Sequence, residues 1–455
     1  MESVAQTENA TQLPNLYDVI VVGGGAAGVG AAIGARQASP SARILLVESE
    51  SCLGGAATHR NVVSFCGLYT LEKQPRLAVG GVWDDIYARL QRSGGVSPRP
   101  SRRRLGVFLV VEPEDLKVVL DDIVLDNGIE VLLRTTVTGA TRGTSLIRSL
   151  EIQEKSRRRL LFAKAFVDCS GDCDLAYHAG ASTRYGNHGT VNLGSLSARF
   201  GGLERANPVH EDWENAVIQA KKTDPSLQAL CRKNRSAMLR LPRSGDVVSF
   251  LATESYDARS SASITSAEMS GRRQIQRYLQ ILRALPGHEN MHLVSSGPSF
   301  GVRESRHLNA RYSLREADVM SNARFGDAIA LGAWGMEFHD EGDADWGSSF
   351  KRPPHGTFEI PLRCLRSNDT DNLFAAGRCA DADQYAGSSI RVMGTALATG
   401  QAAGVAAAMY AAGGADSKLD AEAVRACLRA HGALLDASAL PSLETTPDEP
   451  FSRLN

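Results

Sequence analysis

The stretch YDVIVVGGGAAGVGAAIGARQASPSARILLVES, residues 17–49, constrains the fold more than any other part of the chain. Tyr17 to Val22 is a short apolar run rich in β-branched side chains, the pattern of a buried parallel strand. Gly23, Gly25 and Gly28 follow at GxGxxG spacing. Gly23 permits the tight turn out of the strand, Gly25 lets backbone approach a pyrophosphate, and Gly28 lets the next helix pack closely on the sheet. Ala26 to Ala38 reads as that helix, and the N–H groups at its start, around Ala26 and Ala27, face phosphates. A second strand, Arg43 to Val47, ends in Glu48 and Ser49, with the acid 20 residues after Gly28. A carboxylate at that offset accepts hydrogen bonds from ribose hydroxyls. The segment is therefore expected to be a βαβ unit that binds a dinucleotide.

The rest of the composition is that of an ordinary globular chain. Its 455 residues carry 50 Lys and Arg against 51 Asp and Glu, a net charge of −1. No basic face is expected for nucleic acid, and no cationic surface for an acidic membrane. The 8 cysteines are too few and too irregular for a disulfide framework. Residues 1–16 have no apolar core of signal-peptide type, and there is no uncharged apolar run long enough to span a bilayer. The expected location is cytoplasmic, with no membrane partner.

A second informative stretch, NLFAAGRCADADQYAGSSIRVMGTALATGQAAGVAAAMYA, occupies residues 372–411. Asn372 to Ala376 reads as a strand, Gly377-Arg378 as a turn, and Gly394 to Tyr410 as a helix of small residues. Gly400 and Gly404, four apart, let that helix lie close to a neighbour. A dinucleotide domain whose last strand and helix come so long after its first is an interrupted one.

These stretches, together with VDCSGDCDLAYHAGA at 167–181, GRRQ at 271–274 and FGVRES at 300–305, occur in an order that resembles the FAD-dependent oxidoreductases among the fumarate-reductase and glutathione-reductase-like flavoproteins. The resemblance spans about residues 17–412. It implies an α/β fold, a Rossmann-type FAD-binding domain of glutathione-reductase-like form interrupted by an α+β substrate or cap domain, and a redox activity on FAD. It also implies site residues. Gly23, Gly25 and Gly28 match the phosphate loop and Glu48 the ribose acid. Gly54, Gly55, Ala56 and Thr58 fall in the stretch that passes over the flavin. Val137 matches the adenine contact, and Ser170, Gly171 and Asp172 the turn beside the cofactor. Gly377 and Arg378 match the second flavin turn, and Ser389, Ile390, Arg391 and Val392 the segment beneath the isoalloxazine. Gly394 stands where the family usually has Pro, which suggests a looser backbone there.

The resulting organisation is an N-terminal tail at 1–16, a first FAD-binding part at 17–190, a substrate or cap domain at 191–360, a second FAD-binding part at 361–412, and a helix and tail at 413–455. SPRPSRRR at 97–104 reads as a solvated basic loop. His288-Glu289-Asn290-Met291-His292 fits the zinc-protease HExxH pattern, but Pro286-Gly287 before it and a strand-like HLVSS after it leave no helix for the ligands. No metal site is expected. Gly54-Gly55 are followed by AATHR rather than by a cysteine pair, which argues against disulfide reductase chemistry. No second strand–GxGxxG–helix appears mid-chain, so a dedicated NAD(P)H domain is not expected.

For chemistry, His59 is a candidate general base. Arg303, Glu304 and His307 in the GVRESRH run are further catalytic candidates, arginine being suited to a planar anionic group such as a carboxylate, and Arg391 is a candidate for charge near the flavin pyrimidine. His339, Tyr69 and Tyr385 are lesser candidates. The expected function is oxidation of a small organic metabolite by hydride transfer to flavin N5, with dioxygen as a candidate electron acceptor. The alternatives are a flavin reductase, an NAD(P)H-fed monooxygenase, and a flavin-binding structural or regulatory protein.

Overall fold

A computed structural model describes residues 15–101, 106–204, 210–340, 350–413 and 419–442. The N-terminal tail up to Pro14, Arg102 to Arg104 of the basic stretch and the end of the C-terminal tail lie outside the described residues.

The apolar run after Asn15 forms a strand, Leu16–Val22, and the Ala-rich segment forms the helix Ala26–Ala38. Five parallel strands of a seven-stranded sheet follow the spatial order Glu130–Leu132, Ile44–Val47, Leu16–Val22, Arg158–Asp168, Leu373–Ala375. Numbered along the chain, that order is 3-2-1-4-5, the order of a doubly wound dinucleotide sheet. The other two strands, Thr136–Arg142 and Ile147–Gln153, form a hairpin. Ile147–Gln153 adds antiparallel to the first half of Arg158–Asp168, whose second half pairs parallel with Leu373–Ala375. A strand some two hundred residues further along the chain thus completes the sheet beside Arg158–Asp168.

The opening helix and the closing helix, Met393–Gly413, lie against each other behind the sheet. Their small residues permit it. A Cβ on Gly400 would run into the Ala27 carbonyl oxygen, and one on Gly404 into that of Ala31. From the other side, a Cβ on Gly30 or Gly34 would strike the carbonyls of Leu397 and Gln401. Both helices are apolar nearly all round, as helices buried on every side must be.

A second antiparallel sheet has the order Met238–Arg240, Val247–Glu254, Gly194–Gly201, His292–Ser296. The long helix Ser261–Leu282 covers it, and a core of its own forms around Leu196, Phe200, Trp213, Ile275, Tyr278 and Phe300. Leu314, Val319, Ile329, Met336, Phe358 and Ile360 instead join the core of the dinucleotide sheet. The interrupting unit therefore gives way to the larger core soon after Phe300, well before residue 360.

The described part of the basic stretch, up to Ser101, is not the expected loop. Val96–Ser101 is a strand paired antiparallel with Gly106–Val111. Pro98 and Pro100 are tolerated because this strand is the edge of a three-stranded sheet, where no second neighbour calls for the N–H that proline lacks. Val110 of that sheet and Val63, just before its third strand Ser64–Phe65, pack with Leu239, Leu241 and Val248, joining it to the second sheet. The HExxH segment has no helix: His292 opens a strand, and His288 Nε2 accepts the Trp213 indole N–H at 3.0 Å. No single helix among the described residues is long and apolar enough to cross a membrane.

Candidate active site

A cavity of about 390 Å³ runs along the C-terminal ends of the parallel strands, where ligands bind doubly wound sheets. At one end it is walled by Gly23, Gly25, Ala26, Ala27, Glu48 and Ser49. The three glycines there have different reasons. Gly23 has φ +98°, and a Cβ on it would meet the Cys169 carbonyl. A Cβ on Gly28 would collide with the Gly23 carbonyl, so Gly28 closes the helix on the loop without lining the cavity. Gly25 has ordinary extended backbone, φ −70° and ψ −173°, and a Cβ there would meet nothing nearer than Gly55 Cα at 3.8 Å. Its missing side chain leaves open space at the cavity wall.

Glu48 is 6% exposed, and its carboxylate accepts from Gly24 N–H at 2.6 Å and Glu50 N–H at 2.8 Å. It therefore braces the phosphate loop as well as facing the cavity. Val137, Gly55 and Ala56 line the same space. Gly54 and Thr58 do not: Thr58 Oγ1 donates to the Leu53 carbonyl at 2.8 Å, and the pair shapes the loop behind.

Ser170, Gly171 and Asp172 line the middle of the cavity with Gly377 and Arg378. Asp172 Oδ1 lies 3.3 Å from Arg378 Nη2, and Gly171, at φ +85°, leaves the room that Arg378 fills. Behind them Asp168 is wholly buried; burial pushes its carboxyl up, and N–H and O–H donors from Ala176 and Ser170 oppose that. Asp174, also on the cavity wall, is pushed up to about 6, first by burial and then by Asp172 and Asp168.

At the far end stand Arg391, Val392 and Met393, at the N-terminus of the closing helix. Ser389 and Ile390 do not reach the cavity. They belong to the helix Gln384–Ile390, and Ser389 Oγ donates to the Trp334 carbonyl at 2.7 Å. Arg391 Nη2 donates to the Glu337 carbonyl at 3.1 Å, and burial holds its guanidinium below the usual arginine range. Gly394 is not loose. Its N–H donates to the Cys66 carbonyl at 3.0 Å, and a Cβ would sit 2.7 Å from that same oxygen.

Of the residues expected to do chemistry, Arg303 and Arg391 line the cavity and His59, Glu304 and His307 do not. His59 sits on the single helical turn Ala56–His59, with Nε2 3.1 Å from Cys52 Sγ and Nδ1 3.9 Å from Glu50. The turn sends Arg60 rather than His59 to the wall. Glu304 accepts from Asn192 N–H and Nδ2 at 3.0 and 2.8 Å, and His307 Nε2 lies 3.2 Å from its other oxygen. Burial raises the Glu304 carboxyl, but His307 and Asn192 outweigh it and leave it below the usual carboxylate range. Ser195, Phe250, Gly301 and Val302 from the second unit, with Trp334, Glu337 and His339, complete the far wall. Apart from His339, a lesser candidate, these were not singled out, because no local spacing marks residues brought in from several separate elements.

A glycine loop at a helix N-terminus, an acid after the second strand and a single cavity at the strand ends define a dinucleotide-binding α/β protein. The chain belongs to the FAD dependent oxidoreductase family, whose model matches residues 18–428. It is an enzyme of that family and its cofactor is FAD. The residues fit that group: Gly25 leaves an open approach for a pyrophosphate, Glu48 faces the cavity at the ribose offset, and the closing helix presents its N-terminus at the other end. No curated protein matches the chain. Among solved structures it is similar to a geranylgeranyl bacteriochlorophyll reductase-like protein from Thermoplasma acidophilum, at 14% identity and TM-score 0.46, over 92% of this chain and 82% of that one. It is also similar to a p-nitrophenol 4-monooxygenase from Pseudomonas putida, at 12% and 0.42 over 87% and 79%, and to a myxobacterial chondrochloren halogenase, at 12% and 0.44 over 92% and 78%.

Proposed function

We propose that this enzyme oxidises a small organic molecule, with FAD taking up the hydride equivalent and dioxygen a candidate for reoxidising it. The reading rests on one observation above all. The cavity that begins at the phosphate loop ends in a wall to which the second unit gives Ser195 and Phe250, the segment just after it Arg303, and the residues leading into the closing helix Arg391 and Val392. A cofactor laid along that cavity has its redox end against a chamber built from both units. We take residues 194–302 as the substrate-facing cap and the remainder as the FAD-binding part. The 3-2-1-4-5 parallel order, with an antiparallel hairpin beside it, supports the glutathione-reductase-like form of that part.

When bound, FAD supplies the two-electron sink. The chain's own residues do the rest. Gly25 admits the pyrophosphate, Glu48 accepts from ribose hydroxyls, and the helix N-terminus at Met393 stabilises negative charge by about 0.3–2 kcal/mol. Arg391 and Arg303 supply donors for an anionic or carbonyl oxygen of the substrate. The sequence holds no second strand–GxGxxG–helix, which favours direct oxidation over feeding by NAD(P)H. The test is anaerobic bleaching of the flavin band by a panel of small alcohols, amines and hydroxy acids without nicotinamide, then recovery in air. Bleaching by NADH or NADPH alone would instead support the reductase or monooxygenase reading.

A further inference from the structure

Glu337 and His339 form a buried acid–imidazole pair on the cavity wall, 6% and 3% exposed. Glu337 Oε1 lies 3.5 Å from His339 Nε2, and the Trp334 indole N–H donates to the other carboxylate oxygen at 3.3 Å. The main chain of His339 is held as well. Its N–H donates to Asn192 Oδ1 at 2.9 Å, and its carbonyl accepts from Leu193 N–H at 3.0 Å. Asn192 is in turn pinned by Glu304, which His307 supports. Glu304 and His307, which do not reach the cavity themselves, therefore reach His339 through Asn192.

An imidazole at a cavity wall, oriented by a carboxylate that is itself held in place, is the arrangement of general acid–base catalysis. We propose that His339 is the residue that exchanges the substrate's proton, with Glu337, Trp334 and Glu304 as positioning residues. The proposal rests on the oxidoreductase reading above. Glu337 biases the ring proton to Nε2, which makes Nδ1 the basic nitrogen of the neutral imidazole. One proton passes from a substrate O–H or N–H to Nδ1 while the C–H hydride equivalent goes to FAD; the ring later returns the proton to water. Among the described residues, the charged groups near the ring include Glu337, Arg391 behind the Glu337 carbonyl, Arg303, whose Nη1 donates to the Leu193 carbonyl, and Glu304 behind Asn192.

The test needs no identified substrate. FAD-loaded protein carrying histidine labelled with carbon-13 on the ring is titrated by NMR, oxidised and then reduced with dithionite, and His339→Gln identifies the resonance. Reduction places a negative charge beside the ring, so the His339 midpoint should rise by about one pH unit. Glu337→Gln should lower that midpoint in the oxidised protein. Glu304→Ala should shift the resonance, and the conservative Glu304→Gln should restore it. A His339 resonance indifferent to reduction, in protein still holding one FAD per chain, overturns the proposal and leaves the oxidoreductase reading standing. A chain that takes up no FAD overturns the reading beneath it.

Discussion

Gly25 and Gly28 stand three residues apart in one loop and make opposite demands. Gly28 has no room for a side chain inside the folded protein, whereas a Cβ on Gly25 would clash with nothing in the protein and would take up space where a pyrophosphate must lie. Gly25→Val should therefore fold, with stability within about 1 kcal/mol of the parent. Its FAD affinity should fall about 10- to 100-fold, the equivalent of about 1–3 kcal/mol of overlap. Fluorescence titration of apoprotein with FAD checks this, and unchanged affinity would remove Gly25 from the phosphate site. Asp174 gives a second prediction at this scale. Its carboxyl lies near 6 in the folded protein against an ordinary 3.8, so the folded state favours the protonated form. Stability from this group is fully present below about 3.8 and is lost as pH rises to about 6. Asp174→Asn should raise the melting temperature at pH 7.5 and make little difference at pH 4; an equal effect at both would show that its charge is not what matters.

At the scale of elements, the two helices behind the sheet hold the site together by touching backbone to backbone. Gly404→Val would force a branched side chain into the Ala31 carbonyl and should cost about 1–3 kcal/mol, or more if the opening helix cannot shift. The urea midpoint should fall, and FAD uptake with it, because the same helix carries the phosphate loop. A midpoint equal to the parent's would mean that the contact is not tight. This packing was legible in the sequence, since GxGxxG after a β-branched run and small residues four apart each carry a steric reason that acts locally. What escaped was set by tertiary contact. Pro98 and Pro100 read as loop because the edge position that tolerates them depends on Gly106–Val111. Gly394 read as slack because its constraint comes from Cys66, far away in the chain. His59 and Arg60 are neighbours, and only the direction of one helical turn decides which of them meets the cavity. Glu304 was recognised as a polar group of interest, but its partner Asn192 lies more than a hundred residues away.

For the whole molecule, the account joins two cores through one cofactor. Residues from Val22 to Ala396 line one cavity, so FAD bound along it should touch the dinucleotide sheet, the second unit and the closing helix together. At about 100 times its Kd, FAD should add about 2.7 kcal/mol to unfolding, and tryptophans of both units, Trp213 and Trp83, should report the same shifted transition. Separate transitions, only one of them moved by FAD, would place the cofactor in one unit alone. The most direct measurement is equilibrium dialysis of the apoprotein against FAD and, in parallel, FMN. One FAD per chain and much weaker binding of FMN are expected, since FMN lacks the adenosine half that Glu48 and Val137 are proposed to meet. Apoprotein that takes up neither, or that holds FMN as tightly as FAD, would contradict that expectation.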